Sequence, residues 1–102
     1  MNKDPQITAA VKEILDLIKN ISPGKSVELR VPPYGAIQCV AGSNHRRGTP
    51  PNTVEMSGQT LVNLINEPAL WSTFCESGEI RASGLLSDLS IVFAQAAVEY
   101  RA

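Results

Sequence analysis

Residues able to hold a metal or a covalent cofactor are scarce in this sequence. It contains two cysteines, Cys39 and Cys75, and one histidine, His45, among 102 residues. A structural zinc site requires four ligands, and no cluster of cysteine, histidine and acidic residues has the necessary spacing. The glycines also lack the spacing of a phosphate-binding loop. We therefore expect neither a metal nor another cofactor.

An excess of charge of one sign is missing too. Nine basic and ten acidic residues are spread along the chain and give a formal net charge of -1. Proteins that bind nucleic acid concentrate a basic surplus on one face. The balanced charge predicts no nucleic-acid partner.

Long hydrophobic runs are absent as well. No apolar stretch approaches the ~20 residues that a membrane-spanning helix requires. Residues 1–5 lack the basic and apolar regions of a secretion signal. Both cysteines lie in apolar patterns, which favours buried, reduced thiols over a disulfide. These features predict a cytoplasmic protein without a membrane span.

The residues that are present have the composition of an ordinary globular domain. Hydrophobic residues make up 43% of the chain and charged residues 19%, which argues against disorder. A length of 102 residues is enough for one hydrophobic core. We expect a single domain over residues 1–102.

Apolar periodicity and chain-breaking residues divide the sequence into helices and strands. Asp4 and Pro5 form a good helix start, and apolar residues then recur every three or four positions as far as Ile21. Alternation of apolar and polar residues predicts the strands. The predicted helices are 5–21, one starting after Ser57, one containing Trp71 and Phe74, and 87–100; the predicted strands are 26–31, 36–41, 53–56 and 79–83.

This order of elements predicts the fold class. Strands grouped apart from helices indicate an α+β domain with an open, mainly antiparallel sheet and helices packed on one face. Four strands of about five residues cannot close a barrel. We expect helices 5–21 and 87–100 to be the two longest and to pack on the same side of the sheet through Ile14, Ile18, Val92 and Phe93.

Several motifs resemble those of the sterol carrier protein family. The stretch 77–84, Ser-Gly-Glu-Ile-Arg-Ala-Ser-Gly, resembles the family's strand that is flanked by two glycines. In the family this strand precedes the last helix. The stretches 30–34 (Arg-Val-Pro-Pro-Tyr), 38–40 (Gln-Cys-Val) and 45–52 (His-Arg-Arg-Gly-Thr-Pro-Pro-Asn) are similar to a compact actinobacterial branch whose function is unassigned. The family's strand and two short helices match Met56, Ser57, Thr60, Leu61, Leu64, Trp71 and Phe74.

The resemblance implies an α+β fold with a lipid-accommodating cavity between the sheet and the helices. It implies no catalytic residues. Typical carriers of the family are somewhat longer and have a fuller sheet. A chain of this length can therefore keep the fold and lose much of the cavity.

Bulky apolar side chains on the short helices and on the last helix are the candidates for lining such a cavity. They can instead be ordinary core, which is the default for an apolar stripe at helical spacing. A closed apolar cavity of ~300 Å3 or more would favour ligand carriage, and a filled interior would favour an interaction domain. The candidates are Leu61, Leu64, Trp71, Phe74 and Phe93.

A second group of candidates is polar and could hold an anionic headgroup or a small acid. If the first two strands pair, Arg30 and Gln38 lie opposite the apolar face, and guanidinium groups suit carboxylate or phosphate. The alternative is a solvated sheet face with scattered surface arginines. The candidates are Arg30, Tyr34, Gln38, His45, Arg46 and Arg47.

The loop 42–51 carries the last three of these polar candidates and is unusually long for a compact domain. We expect it to be ordered near the first hairpin, because Pro50 and Pro51 restrict its exit. Arg46 or Arg47 would then pair with a carboxylate, a backbone carbonyl or a bound anion. Glu28 and Glu55 are the carboxylates to consider first.

Three functions remain open on this reasoning. The leading hypothesis is a non-enzymatic binding protein for a small apolar or amphipathic ligand. The competing hypothesis is an interaction or accessory domain without a cavity, such as a homodimer built on the exposed sheet face. A weaker alternative is an enzyme that uses Cys39, His45 and Arg47. Cys39 alternates in phase with Ile37 and Ala41, which favours an inert core thiol.

Overall fold

The computed structural model describes residues 3–42 and 52–101. Among these residues, the helices Pro5–Ile21 with 17 residues and Ser90–Arg101 with 12 are the longest, as predicted. The elements in chain order are helix α1 (Pro5–Ile21), strands β1 (Val27–Val31), β2 (Gly35–Cys39) and β3 (Asn52–Met56), helix α2 (Gly58–Asn66), a 3₁₀ turn (Pro68–Leu70), helix α3 (Trp71–Ser77), strand β4 (Ile80–Ser83) and helix α4 (Ser90–Arg101).

Strand β2 ends two residues earlier than the alternation pattern predicts. Its last residue is Cys39, because Val40 leaves the ladder with a φ of 68°. The Val40 N–H donates to the Ser22 carbonyl at 2.8 Å, and the Val40 carbonyl accepts from the Ser26 N–H at 3.1 Å. The backbone of Val40 therefore ties the end of β2 to the connection between α1 and β1.

Helix α4 begins three residues later than predicted. The Ser87 hydroxyl donates to the Gly84 carbonyl at 2.7 Å and closes a turn before the helix. The Asp88 carboxylate then accepts from the Ser90 N–H at 2.9 Å, which satisfies one of the free donors of the first turn. These local hydrogen bonds hold residues 87–89 outside the helix.

The sheet has the strand order β2-β1-β3-β4. The pairs β1–β2 and β3–β4 are antiparallel, and the central pair β1–β3 is parallel. Helices α1, α2 and α4 pack against one another, and α1 also packs against β2. The predicted α+β class, with an open and mainly antiparallel sheet, is confirmed.

The apolar core lies between the sheet and the helical layer. On β1 the residues Val27, Leu29 and Val31 have zero exposure, whereas the intervening Glu28 and Arg30 are half-buried on the opposite face. The helical layer contributes the side chains that the sequence stripes predict: Ile14, Ile18 and Phe93 are fully buried and Val92 is half-buried.

Asn52 is a buried polar link at the start of β3. Its side-chain amide donates to the Ser26 carbonyl at 2.8 Å, and its amide oxygen accepts from the Leu86 N–H at 2.9 Å. Gly84 passes so close that a Cβ there would lie 2.2 Å from the Asn52 oxygen, and its φ of 109° favours glycine independently. Asn52 therefore joins β1, β3 and the segment that follows β4.

We expect Asn52→Ala to lower the free energy of unfolding by about 1–3 kcal/mol, because the Ser26 carbonyl and the Leu86 N–H lose their partner. Urea unfolding monitored by circular dichroism measures the change. Asn20→Ala, at an exposed position of α1, is the matched control and should change stability by less than about 0.5 kcal/mol. Equal effects of the two substitutions would contradict the linking role.

Candidate functional site

The apolar candidates on α2 and α4 lie in a filled interior. Leu61, Leu64 and Phe93 have zero exposure, as do Leu29 and Val54 on the inner face of the sheet. A side chain without accessible surface borders no void large enough for a water molecule. These three candidates therefore pack against neighbouring side chains in the described state.

The two aromatic candidates on α3 lie nearer the rim of the core. Trp71 is 7% exposed, which confirms the prediction that it is mostly buried, and Phe74 is half-buried. The Trp71 ring lies 6.0 Å from the Phe93 ring at an interplanar angle of 32°. Such a tilted aromatic pair adds to the stabilisation that burial provides. Helix α3 packs mainly on β4 and on the 3₁₀ turn, so Trp71 is its main connection to the core.

Four surface grooves among the described residues have volumes from about 250 to about 580 Å3. None of these four is lined by the five apolar candidates. The groove of about 580 Å3 lies between α1 and α4. Its lining combines apolar and polar side chains: Leu17, Asn20, Ile21, Gln95 and Glu99.

Arg30 and Gln38 lie on the outer face of the sheet, as the alternation predicts. Gln38 pairs in register with Glu28 on the neighbouring strand. The Arg30 guanidinium contacts the Glu28 carboxylate through Nε at 2.8 Å and Nη2 at 2.7 Å. Arg30 is therefore already neutralised by an internal carboxylate.

A second ion pair follows on the same face. Glu55 lies beside Arg30 in the parallel register and opposite Arg81 in the antiparallel one. Its carboxylate accepts from the Arg81 guanidinium. The outer face of the sheet thus alternates acid and base and has no surplus positive charge at these four residues.

Tyr34 lies on the helix side of the sheet, away from Arg30. Its hydroxyl accepts from the Asp4 N–H at 3.2 Å. Its ring fills the space beside Gly58, where a Cβ would lie 2.6 Å from a ring carbon. Tyr34 also lines a groove of about 250 Å3 between α1 and β2.

The structure thus places Arg30 and Gln38 on the same face of the sheet and Tyr34 on the other. His45, Arg46 and Arg47 lie outside the described residues, as does most of the loop 42–51. The two carboxylates that we considered as partners of that loop already contact Arg30 and Arg81.

Cys39 lies in the core with zero exposure, beside Val27 in the antiparallel register. Burial raises the pKa of its thiol to about 11. Burial also raises the pKa of the half-buried Cys75 thiol, with smaller contributions from Asp88 and Glu76. A thiol with a raised pKa is protonated at neutral pH and is a poor nucleophile. Neither cysteine therefore has the environment of a catalytic thiol.

Neither a metal-binding cluster nor a membrane-spanning helix is found in the described parts of the chain. Residues 3–42 and 52–101 contain no group of three or more histidine, cysteine and acidic side chains arranged to bind a metal ion. None of the described helices is both long enough and apolar enough to cross a bilayer.

Sequence reasoning missed two residues that organise this region. Arg81 alternates out of phase with Ile80, so a place on the outer face was predictable, but its pairing with Glu55 depends on the strand register. Asn52 directly precedes a predicted strand and has no sequence signal that separates it from an ordinary turn residue.

We expect Cys39 to resist alkylation in the folded protein, because iodoacetamide reacts with the thiolate. At about pH 8 in buffer, peptide mass spectrometry should find slow modification at Cys75 and almost none at Cys39. In concentrated urea both cysteines should react at similar rates. Rapid modification of Cys39 in the folded protein would contradict the buried, inert thiol.

Comparison with known proteins agrees with this geometry. Five chains of known structure match, and one of them is described as "UbiJ-SCP2 Ubiquinone synthesis protein". That match has a TM-score of 0.56 and 17% sequence identity, and it covers 100% of this chain and 98% of the other. At this identity the likeness shows the fold alone. A search of curated proteins finds no match.

A match to a protein-family model assigns the chain to a family. The model described as "Bacterial SCP ortholog" matches residues 3–94, which is most of the chain. The resemblance to sterol carrier proteins is therefore confirmed, and that carrier family is generally non-enzymatic. The narrower placement in a compact actinobacterial branch stays a prediction. The chain belongs to the bacterial family of sterol carrier protein orthologues.

Proposed function

We propose that the protein is a non-enzymatic binding protein for a small apolar or amphipathic, lipid-like ligand. The observation that carries this proposal is the uniformly apolar layer between the sheet and the helices. The buried core there consists of aliphatic, aromatic and sulfur-containing side chains. Of the buried polar residues, Ser26 and Asn52 lie at the starts of strands, and Thr60 and Ser87 lie near the starts of helices.

Helix α3 is the element best suited to admit such a ligand. It has seven residues, follows the turn that starts at Pro68, and ends at Gly78 in the left-handed conformation with a φ of 84°. Trp71 is its one buried side chain. A ligand would enter by displacing α3 and separating Trp71 from Phe93, and Phe74 would contact it near the entrance. Helix α3 has fewer buried side chains to withdraw than α1, α2 or α4, so it should open more readily than they do.

The competing function is an interaction or accessory domain. It is favoured by the zero exposure of Leu61, Leu64 and Phe93, because a filled interior holds no ligand without rearrangement. A ligand that opens the domain must supply the free energy of that rearrangement from its own contacts. The two functions therefore differ in whether an apolar ligand changes the environment of Trp71.

We expect a fluorescent polyene fatty acid, cis-parinaric acid, to quench the emission of Trp71, which is the single tryptophan of the chain. Energy transfer requires the ligand to lie within the domain or against it, so saturable quenching reports binding. Native mass spectrometry of freshly purified protein should show a bound lipid mass in addition to the 11.0 kDa chain. Absence of both signals would favour the interaction domain.

Two substitutions on α3 test the site of entry. Trp71→Ala should destabilise the fold by about 3–5 kcal/mol, because a large aromatic side chain leaves the core. Phe74→Ala should weaken parinaric acid binding at least about fivefold at a smaller cost in stability, because Phe74 is half-buried.

The matched control for Phe74→Ala is Leu17→Ala. Leu17 is also half-buried, and it lines the groove between α1 and α4. Binding should be unchanged in the Leu17 variant. If only Leu17→Ala weakened binding, the ligand would bind in that groove, and the interior site would be excluded.

A further inference from the structure

Helix α4 is apolar on two opposite faces. Phe93, Ala96 and Ala97 face the core and are buried. Ile91, Ala94 and Val98, at three- and four-residue spacing, form an opposite stripe, where Ile91 is 71% and Val98 is 72% exposed. A contiguous apolar stripe that remains exposed on the outer face of a helix marks a candidate contact surface. The outward stripe is therefore suited to contact another surface.

Charged residues lie at both ends of α4: Asp88 precedes it and Arg101 lies in its last turn, whereas Glu99 of that turn lines the groove beside α1. Asp88 lies before the first turn, where its carboxylate accepts from the Ser90 N–H. Arg101 lies in the last turn and donates one of its five N–H groups to the Asn66 carbonyl. Two copies of α4 in antiparallel contact would place Asp88 of each copy near Arg101 of the other copy. A parallel contact would instead place like charges together, which is unfavourable.

The same antiparallel alignment makes the apolar stripe complementary to itself. With a twofold axis between Ala94 and Gln95, Ile91 of one copy lies across from Val98 of the second copy. Asp88 of one copy then lies across from Arg101 of the second copy, because the two residues are equally far from the axis along the helix. Alanine at the centre allows the two helices to approach closely, as small residues do in tight helix pairs.

The outer sheet face offers a poorer surface for self-association. It presents the ion pairs of Arg30 with Glu28 and of Arg81 with Glu55. Burying these charged pairs in a dimer would remove them from water without a new partner. A homodimer on the sheet face, which the competing hypothesis allows, is therefore less favourable than a contact through α4.

We propose that the outward stripe of α4 (Ile91, Ala94 and Val98) is the contact between two copies of this chain, packed antiparallel about a twofold axis. The proposal is independent of any ligand. A contact made mainly by one short helix belongs below the ~1,200 Å2 of standard interfaces, so the association is weak and depends on concentration.

Sedimentation velocity over a range from about 10 μM to about 1 mM tests the association. The average mass of the native chain should rise from 11.0 kDa towards twice that value. Ala94→Glu should remain monomeric at the highest concentration, because two carboxylates would meet at the axis. The same substitution at an exposed position of α1, Ala9→Glu, should associate like the native chain.

Engineered disulfides test the antiparallel orientation. In a Cys75→Ser background, mild oxidation of a mixture of Ile91→Cys and Val98→Cys chains should produce the cross-linked heterodimer. Each variant alone should cross-link poorly, because its own equivalents are seven residues, or ~10 Å, apart along the helix axis. Self-linking of each variant alone would indicate parallel helices and overturn the proposal.

Two further results would also overturn it. One is a native chain that remains monomeric at about 1 mM. The other is a monomeric chain that sediments with anionic phospholipid vesicles and loses this binding in Ala94→Glu, which would assign the stripe to a lipid surface. Thermal melting of Ala94→Glu should match that of Ala9→Glu, so that misfolding cannot produce the monomeric result.

Discussion

The burial of one face of β1 is the constraint on which the rest of the structure depends. This strand lies in the interior of the sheet, with β2 on one side and β3 on the other, and its three inward side chains have no exposure. Because side chains alternate along a strand, burying Val27, Leu29 and Val31 forces Glu28 and Arg30 to the opposite face. The helices must cover the first face, and the second must remain compatible with water.

Each face of the sheet therefore has its own chemistry. On the covered face, the residues contributed by α2 and α4 fill the space above the strands with apolar side chains. On the open face, Glu28 and Arg30 form one ion pair and Glu55 and Arg81 form another. Such exposed pairs contribute little to stability, but they keep an open sheet face hydrated and discourage contact with other sheets.

Much of the fold was predictable because it depends on local signals. The Asp4 side chain caps α1, the Ser57 hydroxyl accepts from the Thr60 N–H at the start of α2, and Gly78 ends α3 in the left-handed conformation. These features act within a few residues, so spacing alone reveals them. The strands followed from period-two alternation in the same way, except where Val40 makes non-local hydrogen bonds.

The candidate site was less predictable because its features depend on contacts between distant residues. The sequence groups Tyr34 with Arg30 as a candidate headgroup-binding residue. In the structure its hydroxyl accepts from the Asp4 N–H and its ring packs beside Gly58. The pairing of Arg81 with Glu55 requires the register of β3 and β4. Whether Leu61, Leu64 and Phe93 border a cavity depends on how side-chain volumes fit in three dimensions, which periodicity does not report.

The parallel pairing of β1 with β3 has a consequence for the order in which the chain folds. Register partners in β1 and β3 lie 25 positions apart and those in β3 and β4 lie 24 to 30 apart, whereas β1 and β2 are joined by a short turn. Closing these longer segments costs more chain entropy before native contacts compensate for it, so the β1–β2 hairpin should form first and the two pairings of β3 should limit the folding rate. Because closure entropy grows only as the logarithm of length, insertions between β2 and β3 would slow folding more visibly than they weaken the native state.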